Sequence, residues 1–548
     1  MKRKNNFSLR SFSLLIVVFL FIISISYGLL IEEYRKDGHI NYNNKNDINN
    51  ISDRFSLKED NTVDENFRSS LPLIVIDTKG EEPKADTVWD KEKGYRVPVD
   101  YDPYVTGDIA IIDREDGVNS LKDEPSLKSN IRIRLRGNSS LSFDKKQYFI
   151  KFINKDGSKN KQNIMDMGED WEWILNISMI DKSLLRNYIG FNIASKIMPY
   201  TPQVKFCEVI MKNGTKNMYK GVYLIMESIK QGSSRINIAE YDQHFVSTSY
   251  ILRRDRFDED GIMLNNYGTQ AQITEGFLDI KYPTKNKITD RTIQYIEDDI
   301  SEFEKIIYSK DPNVFLTYSE HINKQSFLDY FIINEFFANY DSKYNSIYMY
   351  KDNGGKISMG PVWDFDRSID NFDHKSLKIE STAMHSATWF TQLLRDSNFV
   401  TSLIGRYHEL RKTVLSDENI IKDIDGAVEY LGHARERDWH RWGYFYTSNY
   451  LNDISDENGN IILRNTKNYE EEVKKIKTVL IEHGRWLDDN IDSLYQFSEY
   501  SDKHNNYNWL YKLSQIAFGK SIETWSGGVL AVLFIGVFII SIVLIQRE

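Results

Sequence analysis

Two hydrophobic rhythms divide this chain. In its front half, apolar positions alternate with polar ones, the period of a strand with one buried face. In residues 129–140, Ile131, Ile133 and Leu135 alternate with Arg132, Arg134 and Arg136 and run into the polar turn Gly137-Asn138-Ser139-Ser140. In 145–152, Tyr148, Ile150 and Phe152 oppose Lys145, Gln147, Phe149 and Lys151. Residues 71–80 and 107–113 predict further strands, and 207–229 predicts two antiparallel strands around an Asn213-Gly214 turn. From Thr289 onward the apolar positions recur every three to four residues. Amphipathic helices are expected over 289–309 and 323–340, and more helices within 388–415 and 468–497. One earlier helix is expected over 181–197, introduced by Asp181. The pattern is α+β, with a β-rich front and a helical back.

Two stretches break both rhythms. Residues 11–31 and 525–545 carry no charged side chain, and each meets the roughly 20-residue length that spans a bilayer. Lys2, Arg3, Lys4 and Arg10 precede the first and Arg547 follows the second. By the positive-inside rule both ends face the cytoplasm and the intervening chain lies outside. The first run is longer than a signal-peptide core and lacks an A-x-A site, so it reads as an uncleaved anchor. Residues 32–68 are polar and rich in Asn and Asp, and read as a flexible stalk. The expected organisation is a basic cytoplasmic end at 1–10, an anchor at 11–31, a stalk at 32–68 and one folded domain at 69–500. A juxtamembrane segment at 501–524, a second span at 525–545 and a short tail at 546–548 follow.

Charge and cysteine narrow the function classes. A formal charge of −10 over 548 residues argues against nucleic-acid binding, which needs a basic surface. The single cysteine, Cys207, excludes an internal disulfide framework and a Cys-rich zinc site. It lies in an apolar strand pattern and reads as packed rather than nucleophilic. The chain holds no H-E-x-x-H, G-x-S-x-G or P-loop motif.

The chemistry concentrates near residue 340. Asp341 and Asn345 share one polar loop, and Asp364 and Asp366 share another. Residues 344–361 predict a hairpin with Asp352-Asn353-Gly354-Gly355 at its tip, which returns the second loop to the first. Phosphoryl transfer needs a carboxylate to orient the acceptor hydroxyl and ligands for a cation that offsets phosphate charge. Asp341 fits the first role, and Asp364, Asn345 and Asp366 fit the second as oxygen ligands for Mg²⁺. Taken singly, Asp341 reads as the cap of a helix end or turn, and Asp364 and Asp366, an Asp-x-Asp pair of a common kind, as solvated loop acids. On the front sheet, Arg136 beside the 137–140 turn fits a phosphate contact, though alternating arginines are also the ordinary solvated face of a sheet. Lys151, with Lys146 as its competitor, fits a phosphate-binding lysine if Glu227 fixes it. An ordinary cross-strand ion pair is the alternative.

Seven segments in this order, 71–80, 134–140, 145–152, 173–187, 221–229, 339–352 and 360–370, resemble the CotH family of spore-coat-type atypical protein kinases, over roughly residues 70–500. The resemblance implies a secretory-kinase-like fold, ATP with Mg²⁺ or Mn²⁺, and Ser/Thr protein substrates. It implies a catalytic Asp341 and a metal-binding Asp364, with nucleotide contacts from Arg136, Lys146 or Lys151, and Glu227. Joined to the two apolar spans, it implies a membrane-anchored enzyme with an extracytoplasmic domain and an association with spores or their coat. A retired scaffold and an AMP transferase are the competing readings.

Overall fold

A computed structural model describes residues 58–499, apart from 59, 91–93, 97–100, 115–116, 178, 259–260, 373–378, 456–458 and 460. The two predicted membrane spans, 11–31 and 525–545, lie outside the described residues. Among those described, no helix is long and apolar enough to cross a membrane.

The front half is built on seven longer strands: β1 (Leu73–Asp77), β2 (Val105–Ile112), β3 (Leu127–Arg136), β4 (Gln147–Ile153), β5 (Glu172–Asn176), β6 (Val204–Asn213) and β7 (Lys216–Glu227). They pair in the order β7-β5-β4-β3-β2-β1-β6, and β6 pairs back onto β7, closing a ring. Every pairing is antiparallel except β6 with β1. Closure leaves the ring no free edge, and the period-two pattern gives it a buried face that includes Ile131, Ile133, Ile150 and Phe152. Cys207 is packed on β6 with no exposed surface, and burial pushes its thiol up, as the sequence suggests.

Part of the expected stalk is folded instead. Thr62–Val63 pairs antiparallel with the start of β7, and Phe67 is fully buried beside Tyr219. Val63 and Phe67 bury its apolar contacts, and Asp60 pairs with Lys216 of β7 at 3.2 Å.

Helix α1 (Arg186–Ser195) packs between the ring and the helical half. It begins five residues later than its Asp181 signal. Asp181 caps the preceding turn through the Ser183 and Arg186 amides and pairs with the Arg186 guanidinium at 2.8 Å. A second sheet was not legible as such. It joins β8 (Tyr250–Asp255), β9 (Phe277–Tyr282), β10 (Ile347–Lys351) and β11 (Ser358–Met359) in the order β9-β8-β10-β11. The predicted hairpin is β10–β11, with Met349 opposite Met359.

Helices α2 (Asp290–Ile307), α3 (Lys324–Phe336), α4 (Ser397–Arg411), α5 (Asp417–Leu431), α6 (Ala434–Tyr446) and α7 (Tyr469–Asn490) form the back half. Thr289 caps α2, as an N-cap hydroxyl should. Helix α3 corrects an expectation: it is buried on every side from Ser326 to Phe336 rather than amphipathic. Its polar residues are satisfied internally. Glu335 accepts the Ala383 and Met384 amides, and Asp329 pairs with Arg406 at 2.8 Å.

The halves are bolted together by Arg186. Its guanidinium meets Glu472 of α7 at 2.8 Å and donates to the Ser368 and Ile369 carbonyls. Burial alone would raise the Glu472 carboxyl from 4.5, but Arg186, Lys475, the Thr466 hydroxyl and Lys182 overcome it and hold the group at about 2. A carboxyl depressed in the fold stabilises it above its ordinary value, and that stability is lost as pH falls towards 2. Glu472→Gln is therefore expected to cost about 3 kcal/mol at pH 7. Chemical unfolding of the variant should also change less than wild type between about pH 5 and pH 2. Equal unfolding midpoints at pH 7 would refute the assignment.

Candidate functional site

A cleft of about 380 Å³ opens where ring, second sheet and helical half meet. That volume lies within the roughly 300–1,000 Å³ of ligand sites. Its lining is predominantly polar and charged. The ring contributes Arg134, Arg136 and the 137–140 turn, and the second sheet contributes Arg253, Tyr348 and Lys281. The loops of the back half contribute Asp341, Asn345, Asp364 and Asp366.

Each loop is held from behind. Asp341 sits in a 3-10 turn, Tyr340–Lys343, directly after buried α3. Asn345 Nδ2 donates to Asp341 Oδ1 at 3.2 Å, and the Asn345 amide closes on the Asp341 carbonyl. That bond fixes the carboxylate and leaves the Asn345 amide oxygen as an acceptor. Asp364 takes a left-handed backbone, φ 63°, which Asp tolerates better than most residues. Its carbonyl accepts Asn339 Nδ2, and the next amide, of Phe365, donates to Asn187 of α1 at 2.8 Å. Phe365 is fully buried against Gly190 of α1, where a Cβ would stand 2.5 Å from the ring. Only glycine lets the loop approach this closely.

The same polar thread runs to the ring. Asn187 donates to Asn176 at 3.4 Å, Asn176 to Gln147 at 3.4 Å, and Arg136 Nη1 to Gln147 Oε1 at 2.6 Å. The Arg136 guanidinium also lies 5.7 Å from the Trp363 ring centroid. The acid loop and the arginine strand are thus positioned by shared contacts.

The electrostatics are those of crowded like charges. Burial, followed by the charges of Asp366 and Asp341, pushes the Asp364 carboxyl well above its ordinary range, and Arg136 opposes the shift. Burial lowers Arg136, with Tyr348 and Asp364 opposing. A cation among these carboxylates would relieve the repulsion. Among the described residues, no three His, Cys, Asp or Glu side chains enclose a metal position. Mg²⁺ does not require such a cage, because it typically takes one or two carboxylates plus phosphate and water oxygens. The donor set of Asp364, Asp366 and the Asn345 amide fits that habit.

Five of the residues singled out in the sequence, Arg136, Asp341, Asn345, Asp364 and Asp366, share this cleft. Three do not line it. Lys146 lines a separate pocket behind the ring and donates to the Leu141 carbonyl at 2.6 Å. The expected contact between Lys151 and Glu227 is not formed. Strand β5 lies between their strands: Lys151 faces Glu172, and Glu227 faces Trp173. Neighbouring residues of a strand point to opposite faces, so the two side chains lie on opposite sides of the sheet. Lys151 pairs loosely with Glu172 at 3.8 Å, whereas Glu227 is buried against Arg235 at 2.6 Å.

The cations of the second sheet were missed. The run Arg253-Arg254-Asp255 carried a signal, because alternate members of a strand part company. Arg253 and Asp255 line the cleft, while Arg254 between them turns inward over the Trp389 ring; Arg256, just past the end of β8, lines the cleft as well.

A family model described as CotH kinase protein matches residues 133–487. No curated protein matches the chain.

Proposed function

The chain belongs to the CotH kinase family, and from that premise we propose that it moves the γ-phosphoryl group of ATP to Ser or Thr hydroxyls of proteins. One observation carries this reading: Asp341, Asp364 and Asp366 of the back-half loops meet arginines of the ring and the second sheet in a single polar cleft. In this reading the ring and second sheet are the nucleotide-facing lobe of an atypical kinase fold, and the helices are the other lobe.

Asp341 orients the acceptor hydroxyl and takes its proton, held for the task by Asn345. Arg136, Arg253 and Arg256 draw the polyphosphate into the cleft and offset its charge. Asp364, with Asp366 and Asn345, would hold Mg²⁺ or Mn²⁺. That cation, when bound, neutralises phosphate charge and aligns the transferred group. The acceptor is the protein itself or a coat or envelope protein. The apolar runs 11–31 and 525–545 support a membrane-anchored enzyme whose domain lies outside the cytoplasm.

Radiolabelled ATP tests the reaction class. With full-length protein and a Ser-rich acceptor, label from the γ-phosphate is expected on protein only when Mg²⁺ or Mn²⁺ is supplied. Label retained from the α-phosphate would replace phosphorylation by AMP transfer. No transfer of either label across metals and acceptors would favour a scaffold.

A further inference from the structure

Behind the ring, away from the catalytic loops, α6 lies across β7 and leaves a second pocket of about 220 Å³. The contact beneath it is rigid. Lys145 and Asp438 form a fully buried ion pair at 2.6 Å, and Asp438 also accepts the Val222 amide and the Tyr446 hydroxyl. At Gly221 an added Cβ would stand 2.4 Å from Asp438 Oδ1, so helix and strand are in direct contact.

Three cations face the pocket: Lys146, Lys220 and Arg441. Its one lining acid, Asp144, already accepts the Tyr444 hydroxyl at 2.5 Å. Glu82, the other acid whose charge reaches Lys220, is exposed to solvent. Among the described residues, neither Lys220 nor Arg441 has an ion-pair partner. The Arg441 guanidinium lies 4.1 Å from the Trp442 ring centroid, and its Nε is buried with no hydrogen-bond acceptor. A buried donor without an acceptor is costly, and a bound anion would remove that cost. Burial and the neighbouring Arg441 charge lower the Lys220 ammonium, a repulsion that an anion would also relieve.

We infer that this pocket binds a phosphate-monoester dianion. Two unpartnered cations match two negative charges, which a single carboxylate would not supply. A guanidinium fork matches the phosphate oxygens. The volume admits a phosphorylated side chain and falls below the roughly 300 Å³ at which drug-sized ligand sites begin. The aromatic wall of Tyr148, Tyr223 and Trp442 suits the stem of such a side chain. A phosphoseryl segment and free phosphate share this chemistry. If the protein is a kinase, its own product supplies the first; the anion site itself does not depend on that reading.

Calorimetric titration of the full-length protein tests the site, with the catalytic cleft first filled by a non-hydrolysable ATP analogue. The probes are a capped phosphoseryl tripeptide, its unphosphorylated form and inorganic phosphate. The phosphopeptide should bind and the unphosphorylated peptide should not. Arg441→Ala and Lys220→Gln, each with wild-type circular dichroism, should each weaken binding at least tenfold. Tighter binding of the phosphopeptide than of phosphate identifies a phosphoprotein source; binding of phosphate alone identifies the free ion. Absence of binding by either phosphate probe, or both variants binding within threefold of wild type, would overturn the inference. Failure of the ATP analogue to bind would count against the kinase reading and leave this result readable.

Discussion

Asp364→Asn is expected to lower γ-phosphoryl transfer by about a thousandfold, the scale of losing one preorganised electrostatic contact at a phosphoryl transition state. It is also expected to leave the protein as stable as wild type or more so. Both outcomes come from the same surroundings. Asp364 is half-buried, and desolvation, followed by the charges of Asp366 and Asp341, raises its carboxyl. An amide removes the repulsion and keeps the shape. Asn also accepts the left-handed backbone that Asp364 adopts, φ 63°. The Asn339 and Phe365 contacts made by the backbone are untouched. A variant with a raised melting temperature and no activity would show a site that stores repulsion for a cation. Lost activity together with collapsed stability would instead make Asp364 a structural residue, and activity within tenfold of wild type would remove it from metal binding.

Asp341→Asn is expected to cut turnover by about 10²–10⁴-fold, the range for a general base. Nucleotide affinity should stay within about threefold, because the base contacts the acceptor and not ATP. The substitution is mild in structure. Asp341 closes its turn through its backbone carbonyl to the Tyr344 and Asn345 amides, which the variant keeps. Fluorescent-nucleotide binding and steady-state transfer, measured on the same preparation, separate the possibilities. If affinity and turnover fall together, Asp341 belongs with the metal ligands. If neither falls, the acceptor is oriented by another group.

The two variants divide the cleft along its construction. Asp341 is set by the end of α3 and Asn345, whereas Asp364 is set by α1 through Asn187 and Gly190. A substitution on α1 thus acts on the acid loop from a distance of some 175 residues in sequence, since Phe365 packs where Gly190 has no side chain. The clamp from Arg186 to the Ser368 and Ile369 carbonyls acts on the same loop.

Much of this was local chemistry and therefore legible in the residues. The alternation of Ile131, Ile133 and Leu135 with three arginines specified β3 and the face that it buries. The Asn213-Gly214 turn gave the β6–β7 hairpin, and the hairpin β10–β11 carries the chain out and back between the two acid loops. Asp341, Asn345, Asp364 and Asp366 could be gathered from turn chemistry alone because fewer than thirty residues separate them.

What depended on contacts distant in sequence was not legible. Ring closure by β6 on β1 joins strands that no turn connects. Strand order put β5 between Lys151 and Glu227, and register turned them to opposite faces; neither side chain's own neighbours encode either fact. The buried character of α3 depends on what surrounds it, since Glu335 becomes interior only when the Ala383 and Met384 amides arrive to bond it. Sequence fixes the partners of a residue when a turn or a period enforces them. Tertiary structure decides the rest, because burial and pairing over long separations depend on the sum of many contacts rather than on any local one.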